Sequence, residues 1–236
     1  MSKLRVFTAF SGYDSQCMAL DRIGIDYDLV GWSEIDKYAI QAHNAVYPQY
    51  ADRNYGDITK IDWEQVPDFD LFTYSFPCQD ISAAGKQRGF EQGSDTRSGL
   101  LWECEKAIAA KRPKYLLMEN VKALMSKKFR QPFSQWVALL EGLGYANHYR
   151  ILNATDFGVP QNRERVFMAS FRSDVAIPFV WPAPIPLTKT LDDVLEEEVE
   201  ERYYLQNDRI EGLLTSTIDE MRKKNGYKFK AKKKTI

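Results

Sequence analysis

No stretch of this 236-residue sequence stays apolar for the roughly 18 residues that a membrane-spanning helix needs, so no span is expected. Cysteine is scarce. Cys17, Cys78 and Cys104 are odd in number and unevenly spaced, which argues against a disulfide framework and against a zinc site. Such thiols suit a reducing cytoplasm, and the start Met1-Ser2-Lys3-Leu4-Arg5 lacks the apolar core of a signal peptide. A surplus of either charge is missing too: 32 Lys and Arg stand against 33 Asp and Glu, so no overall basic field announces a nucleic-acid partner. Glycine is sparse where a dinucleotide enzyme would want it. The segment Phe10-Ser11-Gly12-Tyr13-Asp14-Ser15 has one glycine and fails the GxGxxG fingerprint, which disfavours hydride transfer on a Rossmann scaffold. No internal repeat is visible.

What is present is an alternation. With 44% hydrophobic and 13% aromatic residues, the chain can bury the core of one large domain or a domain and a half. Strand-like runs at 4–10, 27–33, 70–76 and 114–119 alternate with helical patterns at 15–23, 36–47, 98–111 and 133–143. Alternating βα units predict an α/β fold, a mostly parallel sheet with helices on both faces. After Gly144 the rhythm changes, and runs at 145–152 and 165–171 with no helix between them predict an antiparallel pair at one edge. Pro178, Pro182, Pro184 and Pro186 then interrupt regular structure. A catalytic domain over 1–186 and an exit segment over 187–236 are expected, the latter with one helix near 208–224. Acidic residues 196–201 and basic runs at 222–224 and 228–234 read chiefly as solvated surface.

The most informative stretch is Ser75-Phe76-Pro77-Cys78-Gln79-Asp80-Ile81-Ser82. It places a thiol just past an apolar strand, at the sheet edge where α/β proteins keep ligands, although a lone cysteine is more often a packed core residue. Glu119 closes another apolar strand. There, partial desolvation would raise its pKa and let it act as an acid, while a plain surface glutamate fits that stretch equally well. Arg163 and Arg165 alternate on a strand entry, so their side chains should share a face. They could grip a carbonyl or phosphate, or form a solvated ion-pair patch with Glu164. Gly12 in the first turn and Glu34 at the end of the second strand together suggest an adenosine-containing ligand without a pyrophosphate, and S-adenosylmethionine meets that description.

The order Phe-Ser-Gly, Ser-Glu-Ile-Asp, Gly-Asp-Ile, Phe-Pro-Cys-Gln-Asp-Ile-Ser, Met-Glu-Asn-Val and Gln-Asn-Arg-Glu-Arg-Val-Phe, over residues 4 to 190, resembles the DNA (cytosine-5)-methyltransferase family. The resemblance implies a Rossmann-like S-adenosylmethionine-dependent fold and methyl transfer to carbon 5 of a flipped cytosine in double-stranded DNA. By the same resemblance the nucleophile is Cys78, Glu119 is the acid at ring nitrogen 3, and Arg165, supported by Arg163, holds the base carbonyl. The cofactor is placed by Phe10, Gly12, Tyr13 and Ser15, with Glu34 at the ribose. Ile35, Asp57 and Ile58 fall near the adenine, and Pro77 and Leu100 near the methionine part. Pro77, Gln79 and Ser82 would shape the base pocket, and Cys17 and Cys104 would be core residues. Neither a metal nor a membrane is implied. Transfer RNA methylation and a noncatalytic S-adenosylmethionine-binding subunit of a split enzyme are the alternatives.

Two residues depart from the family pattern: Thr8 stands where an acid is common, and Asp14 replaces a glycine. The family also continues with a target-recognition domain and two further motifs that do not occur before Ile236, so the resemblance implies a fragment of a longer protein, the favoured expectation, a split enzyme completed by a second polypeptide, or a degenerate remnant.

Overall fold

A computed structural model describes residues 3–82, 88–94, 96–175 and 177–225 of the chain. The lysine-rich run at 228–234 lies outside them. The chain divides into two compact units, Met1–Lys189 and Thr190–Ile236. In the first, strands β1 (Leu4–Ala9), β2 (Tyr27–Ser33), β3 (Leu71–Tyr74), β4 (Tyr115–Val121), β5 (Tyr145–Asn153) and β6 (Glu164–Arg172) form one sheet in the order β2-β1-β3-β4-β6-β5. The pairs β1–β2, β1–β3 and β3–β4 are parallel, whereas β6 runs antiparallel to both β4 and β5. The expected parallel sheet with an antiparallel edge is therefore present.

Helices α1 (Ser15–Arg22), α2 (Lys37–Val46), α3 (Leu101–Lys111) and α4 (Arg130–Gly142) cover the sheet. Alternation along β1 shows why both faces are needed. Val6 enters a cluster with Cys17, Leu29, Trp32 and Tyr47, while its neighbour Phe7 enters the larger cluster with Phe72, Tyr74, Leu101, Ile108 and Trp136. Cys17 and Cys104 are fully buried, as expected of core thiols. The second unit carries α5 (Asn207–Asn225).

Three boundaries differ from the sequence pattern for physical reasons. The third strand stops at Tyr74, opposite the last residue of β1: Ala9 pairs with Tyr74, and at Phe10 the backbone turns away with φ 55°, while β4 on the other side of β3 runs on to Val121. The helix expected from Ser98 begins as a 3-10 turn over Arg97–Leu100 before α3, capped by the Thr96 side chain on Gly99 N. Helix α4 starts at Arg130, ahead of Phe133. It accepts Pro132 in its first turn because amides there have no intrahelical partner.

β2 lies on one side of β1 and β3 on the other, so the chain reverses its winding between β1 and β3. Open sheets of this kind bind ligands in the crevice beyond the carboxyl ends of the strands at that point.

Candidate active site

The turn beyond β1 is strained. Phe10, Gly12 and Asp14 all have positive φ, at 55°, 58° and 67°. A bulky aromatic residue in the left-handed region costs about 1–2 kcal/mol, and such strain gathers at functional sites. A Cβ on Gly12 would meet nothing within 4 Å, so the backbone there faces open space.

Asp14 explains both departures from the family pattern. Its buried carboxylate accepts from Thr8 Oγ1 at 2.8 Å and from Cys17 N at 3.4 Å, which caps α1. Its Oδ2 also lies 3.5 Å from Nε2 of the buried His43, whose ring stacks on Trp32. The acid missing from position 8 is thus supplied six residues later and returns to the hydroxyl that took its place. Asp14→Ala removes the cap, leaves the Thr8 hydroxyl without its acceptor and puts alanine in the left-handed region, a combined loss of roughly 2–4 kcal/mol. Asp14→Gly adopts that φ freely and should lose less. Urea titration measures the ranking, and an alanine variant as stable as the glycine variant would contradict it.

Glu34, just past β2, binds backbone on three sides. Its Oε2 accepts from Gly12 N at 3.1 Å, and its Oε1 accepts from Ile35 N at 2.8 Å and Asp36 N at 2.9 Å. A carboxylate has about four lone-pair sites, so one stays open for a ligand hydroxyl. Asn54, which the sequence pattern did not single out, accepts from Glu34 N and Gly56 N and donates to Glu34 O, while Ser33 Oγ donates to Gly56 O. These bonds bring Asp57 beside the β2 edge. Asp57 caps its own 3-10 turn, and hydrogen bonds from Thr59 hold its carboxyl below the usual carboxylate range. Ile35 is exposed, whereas Ile58 is 4% exposed and packs its side chain into the main core.

A cavity of about 680 Å³ opens beyond the strand ends, in the range of small-ligand sites. It brings together Phe10, Tyr13 and Ser15 from the first turn and helix with Glu119, Arg163 and Arg165 from the far side of the sheet. Alternation on β4 selects the acid: Leu116, Met118 and Asn120 are buried, leaving Leu117 and Glu119 toward the cavity. Arg165 Nε lies 2.9 Å from Glu119 Oε1. Glu164, between the arginines, points elsewhere and pairs with Lys122 at 2.8 Å, so the bland ion-pair patch is not what the arginines form. Burial raises the Glu119 pKa, opposed by Arg165, Arg163 and a hydrogen bond with Ser75, and the net direction is upward.

Cys78 does not line this cavity. It sits half-buried on the turn after β3, and Ile81 N and Ser82 N both donate to its carbonyl, at 3.0 and 2.7 Å. The buried Asn120, next to Glu119, donates from Nδ2 to Phe76 O at 2.9 Å and fixes that turn against the end of β4. Gln79 Oε1 accepts from Arg97 Nη1 at 3.0 Å, and Leu100 packs part-buried against the core. Pro77 and Ser82 lie on the same turn, away from the cavity lining.

The residues 4–236 match the family model of C-5 cytosine-specific DNA methylase. The chain is 40% identical over 258 residues to a type II methyltransferase, M2.ScrFI, of Lactococcus lactis subsp. cremoris, covering 88% of this chain and 71% of that protein. It is 35% identical over 253 residues to the orphan methyltransferase M.SPRI of Bacillus phage SPR, covering 93% of this chain and 57% of that one. Among solved structures it resembles the Entamoeba histolytica methyltransferase EhMeth, with a TM-score of 0.70, 19% identity and 88% and 64% of the two chains covered. A Spodoptera frugiperda DNMT2 variant gives a TM-score of 0.66 at 21% identity over 86% and 63%. The fold is shared with both, and the chain spans between about half and seven-tenths of the length of its curated relatives. With the family model matched along nearly its whole length, the chain belongs to the C-5 cytosine-specific DNA methylases.

Proposed function

We propose that this chain transfers a methyl group from S-adenosylmethionine to carbon 5 of cytosine in double-stranded DNA, through a covalent Cys78 adduct on a flipped base. The observation that carries the reading is the Glu119–Arg165 pair, which shares one cavity with the first turn while Asn120 joins the same strand end to the Cys78 turn.

The first turn fits the cofactor. Open space over Gly12, the spare acceptor site on Glu34 and the exposed Tyr13 and Ile35 offer a backbone approach, a hydroxyl acceptor and apolar surface for an adenosine. Bound there, S-adenosylmethionine supplies an electrophilic methyl and leaves as S-adenosylhomocysteine. Carbon 5 of cytosine is a poor nucleophile. The Cys78 thiolate adds to carbon 6 and pushes electron density to carbon 5, dividing one hard step into easier ones. The charge this builds on the ring is met at nitrogen 3 by the Glu119 carboxyl, whose pKa burial raises. Arg165 Nε lies 2.9 Å from Glu119 Oε1, and the Arg163 and Arg165 side chains line the same cavity, where they would hold the base carbonyl. Loss of the carbon 5 proton and expulsion of the Cys78 sulfur restore the aromatic base. Because carbon 6 is buried within a stacked duplex, the base must leave the stack to reach Cys78.

The test offers radiolabelled methyl donor with duplex DNA, the same duplex already carrying 5-methylcytosine, and transfer RNA. Label should enter the first alone. Transfer to RNA would reassign the substrate, and donor binding with no transfer to either nucleic acid would leave only a cofactor-binding subunit. No helix among the described residues is long and apolar enough to cross a membrane.

A further inference from the structure

Directly below Cys78 the structure holds a buried polar assembly to which the proposed chemistry gives no part. Ser98 is fully buried, and its Oγ donates to Pro77 O at 2.6 Å and accepts from Asp80 N at 3.1 Å. Those two groups flank the nucleophile, since Pro77 O belongs to the peptide that carries the Cys78 nitrogen and Asp80 N lies two residues on. Asp80 returns the contact. Its side chain, 3% exposed, accepts from Ser98 N at 3.4 Å and from Arg88 Nε at 2.9 Å, and the Asp80 carbonyl accepts from Gly89 N at 3.0 Å. The surrounding segments are bonded together as well, with Thr96 Oγ1 donating to Gly89 O and Trp102 Nε1 to Phe90 O.

A carboxylate and a hydroxyl buried side by side are costly unless every bond is made, and an apolar pair would fill the space with less penalty. Here the bonds end on the peptide immediately before Cys78 and on the backbone amide two residues after it. From this placement, and resting on the reading of Cys78 as the nucleophile, we infer that Ser98 and Asp80 are positioning residues that fix the Cys78 turn and so aim its sulfur at the base. A misplacement of about 1 Å at a reacting atom can cost on the order of a hundredfold in rate. Fixing the peptides on both sides of the nucleophile is the direct way to prevent it.

The experiment uses the full chain and two readouts. In the first, iodoacetamide labelling is followed separately at each cysteine by mass spectrometry. Cys17 and Cys104 are fully buried and report global opening, while half-buried Cys78 reports its own turn. In the second, a denaturant-resistant adduct with 5-fluorocytosine duplex DNA and S-adenosylmethionine is timed. Ser98→Ala should speed Cys78 labelling a few-fold with Cys17 and Cys104 still protected, and should slow adduct formation roughly ten- to a hundredfold. Asp80→Asn keeps one of the two acceptor oxygens, replaces the other with an amide donor and removes the charge facing Arg88, and should show the same pattern more weakly. Asp80→Ala should match Ser98→Ala.

Unchanged Cys78 labelling in Ser98→Ala and Asp80→Ala would overturn the inference, as would labelling that rises at all three cysteines together, which marks a merely structural role. Normal adduct timing in variants with faster Cys78 labelling would overturn it too, since the turn would then be loose without consequence. If the unaltered chain forms no adduct while the labelling pattern appears as expected, the positioning holds and the assigned chemistry fails.

Discussion

Cys78→Ser is expected to abolish methyl transfer and the 5-fluorocytosine adduct, with a loss of at least about a thousandfold, while leaving donor binding and thermal stability near those of the unaltered chain. The size follows from what the sulfur does. An ordinary thiol is a few per cent thiolate at pH 7 and intrinsically very nucleophilic, whereas a serine hydroxyl holds its proton and needs a general base. Losing a nucleophile removes the covalent route and leaves only what binding and orientation supply. The fold should tolerate the change, because Cys78 is half-buried and its turn is held by backbone groups and by Ser98 and Asn120, not by the sulfur. Cys17→Ser and Cys104→Ser provide the contrast. Both put a hydroxyl into the fully buried core, so they should lower stability and still form the adduct. A Cys78→Ser protein that traps 5-fluorocytosine DNA at the normal rate would end the covalent mechanism.

The placement of strands and helices was legible because it rests on local pattern. The run 4–9 is mostly apolar, Gly24 follows a helical stretch, and Pro77 ends the apolar run before Cys78, all features of neighbours in sequence. The site was legible only by type. The thiol, the carboxyl and the arginines each stood at a strand end, and the sheet order β1-β3-β4-β6 is what sets those ends side by side. What the pattern could not give are the bonds between distant positions. Ser98 meets Asp80 across 18 residues, Asn54 meets Glu34 across 20, and Asn120 meets Phe76 across 44. Serine and asparagine are ordinary loop residues, and nothing nearby distinguishes a solvated one from a buried clamp. One signal was available in principle. An acid missing at Thr8 and an acid gained at Asp14, six positions apart around a tight turn, form a matched pair of departures, and the structure joins them at 2.8 Å. The early end of β3 was beyond the local pattern for a similar reason, since the strand stops where β1 turns away and not where its own apolar run ends.

Glu119→Gln should lower the rate of adduct formation by about a hundred- to ten-thousandfold, the usual worth of a positioned general acid, with little change in binding of DNA or donor. Geometry makes this substitution a clean one. The amide has the carboxyl's shape, its oxygen can still accept from Arg165 Nε, and so the guanidinium keeps its place; only the transferable proton is gone. The pH dependence carries the sharper sign. Burial raises the Glu119 pKa, so the folded protein holds that proton to a higher pH than a free glutamate would. Adduct formation should therefore have a limb that falls as pH rises through this raised value, and Glu119→Gln should remove that limb because the amide does not titrate. Stability follows the same linkage. The raised pKa means that the folded state binds the proton more tightly than the unfolded chain, a contribution fully present below the unfolded pKa and lost as pH rises through the folded one. Glutamine avoids the buried negative charge, so at neutral pH the variant should unfold at no lower a urea concentration than the unaltered chain. Glu119→Ala serves as the opposing control, since it leaves Arg165 without its partner beside the cavity and should be both slow and less stable. If the descending limb survives in Glu119→Gln, the proton at nitrogen 3 comes from elsewhere and Glu119 serves only to hold Arg165.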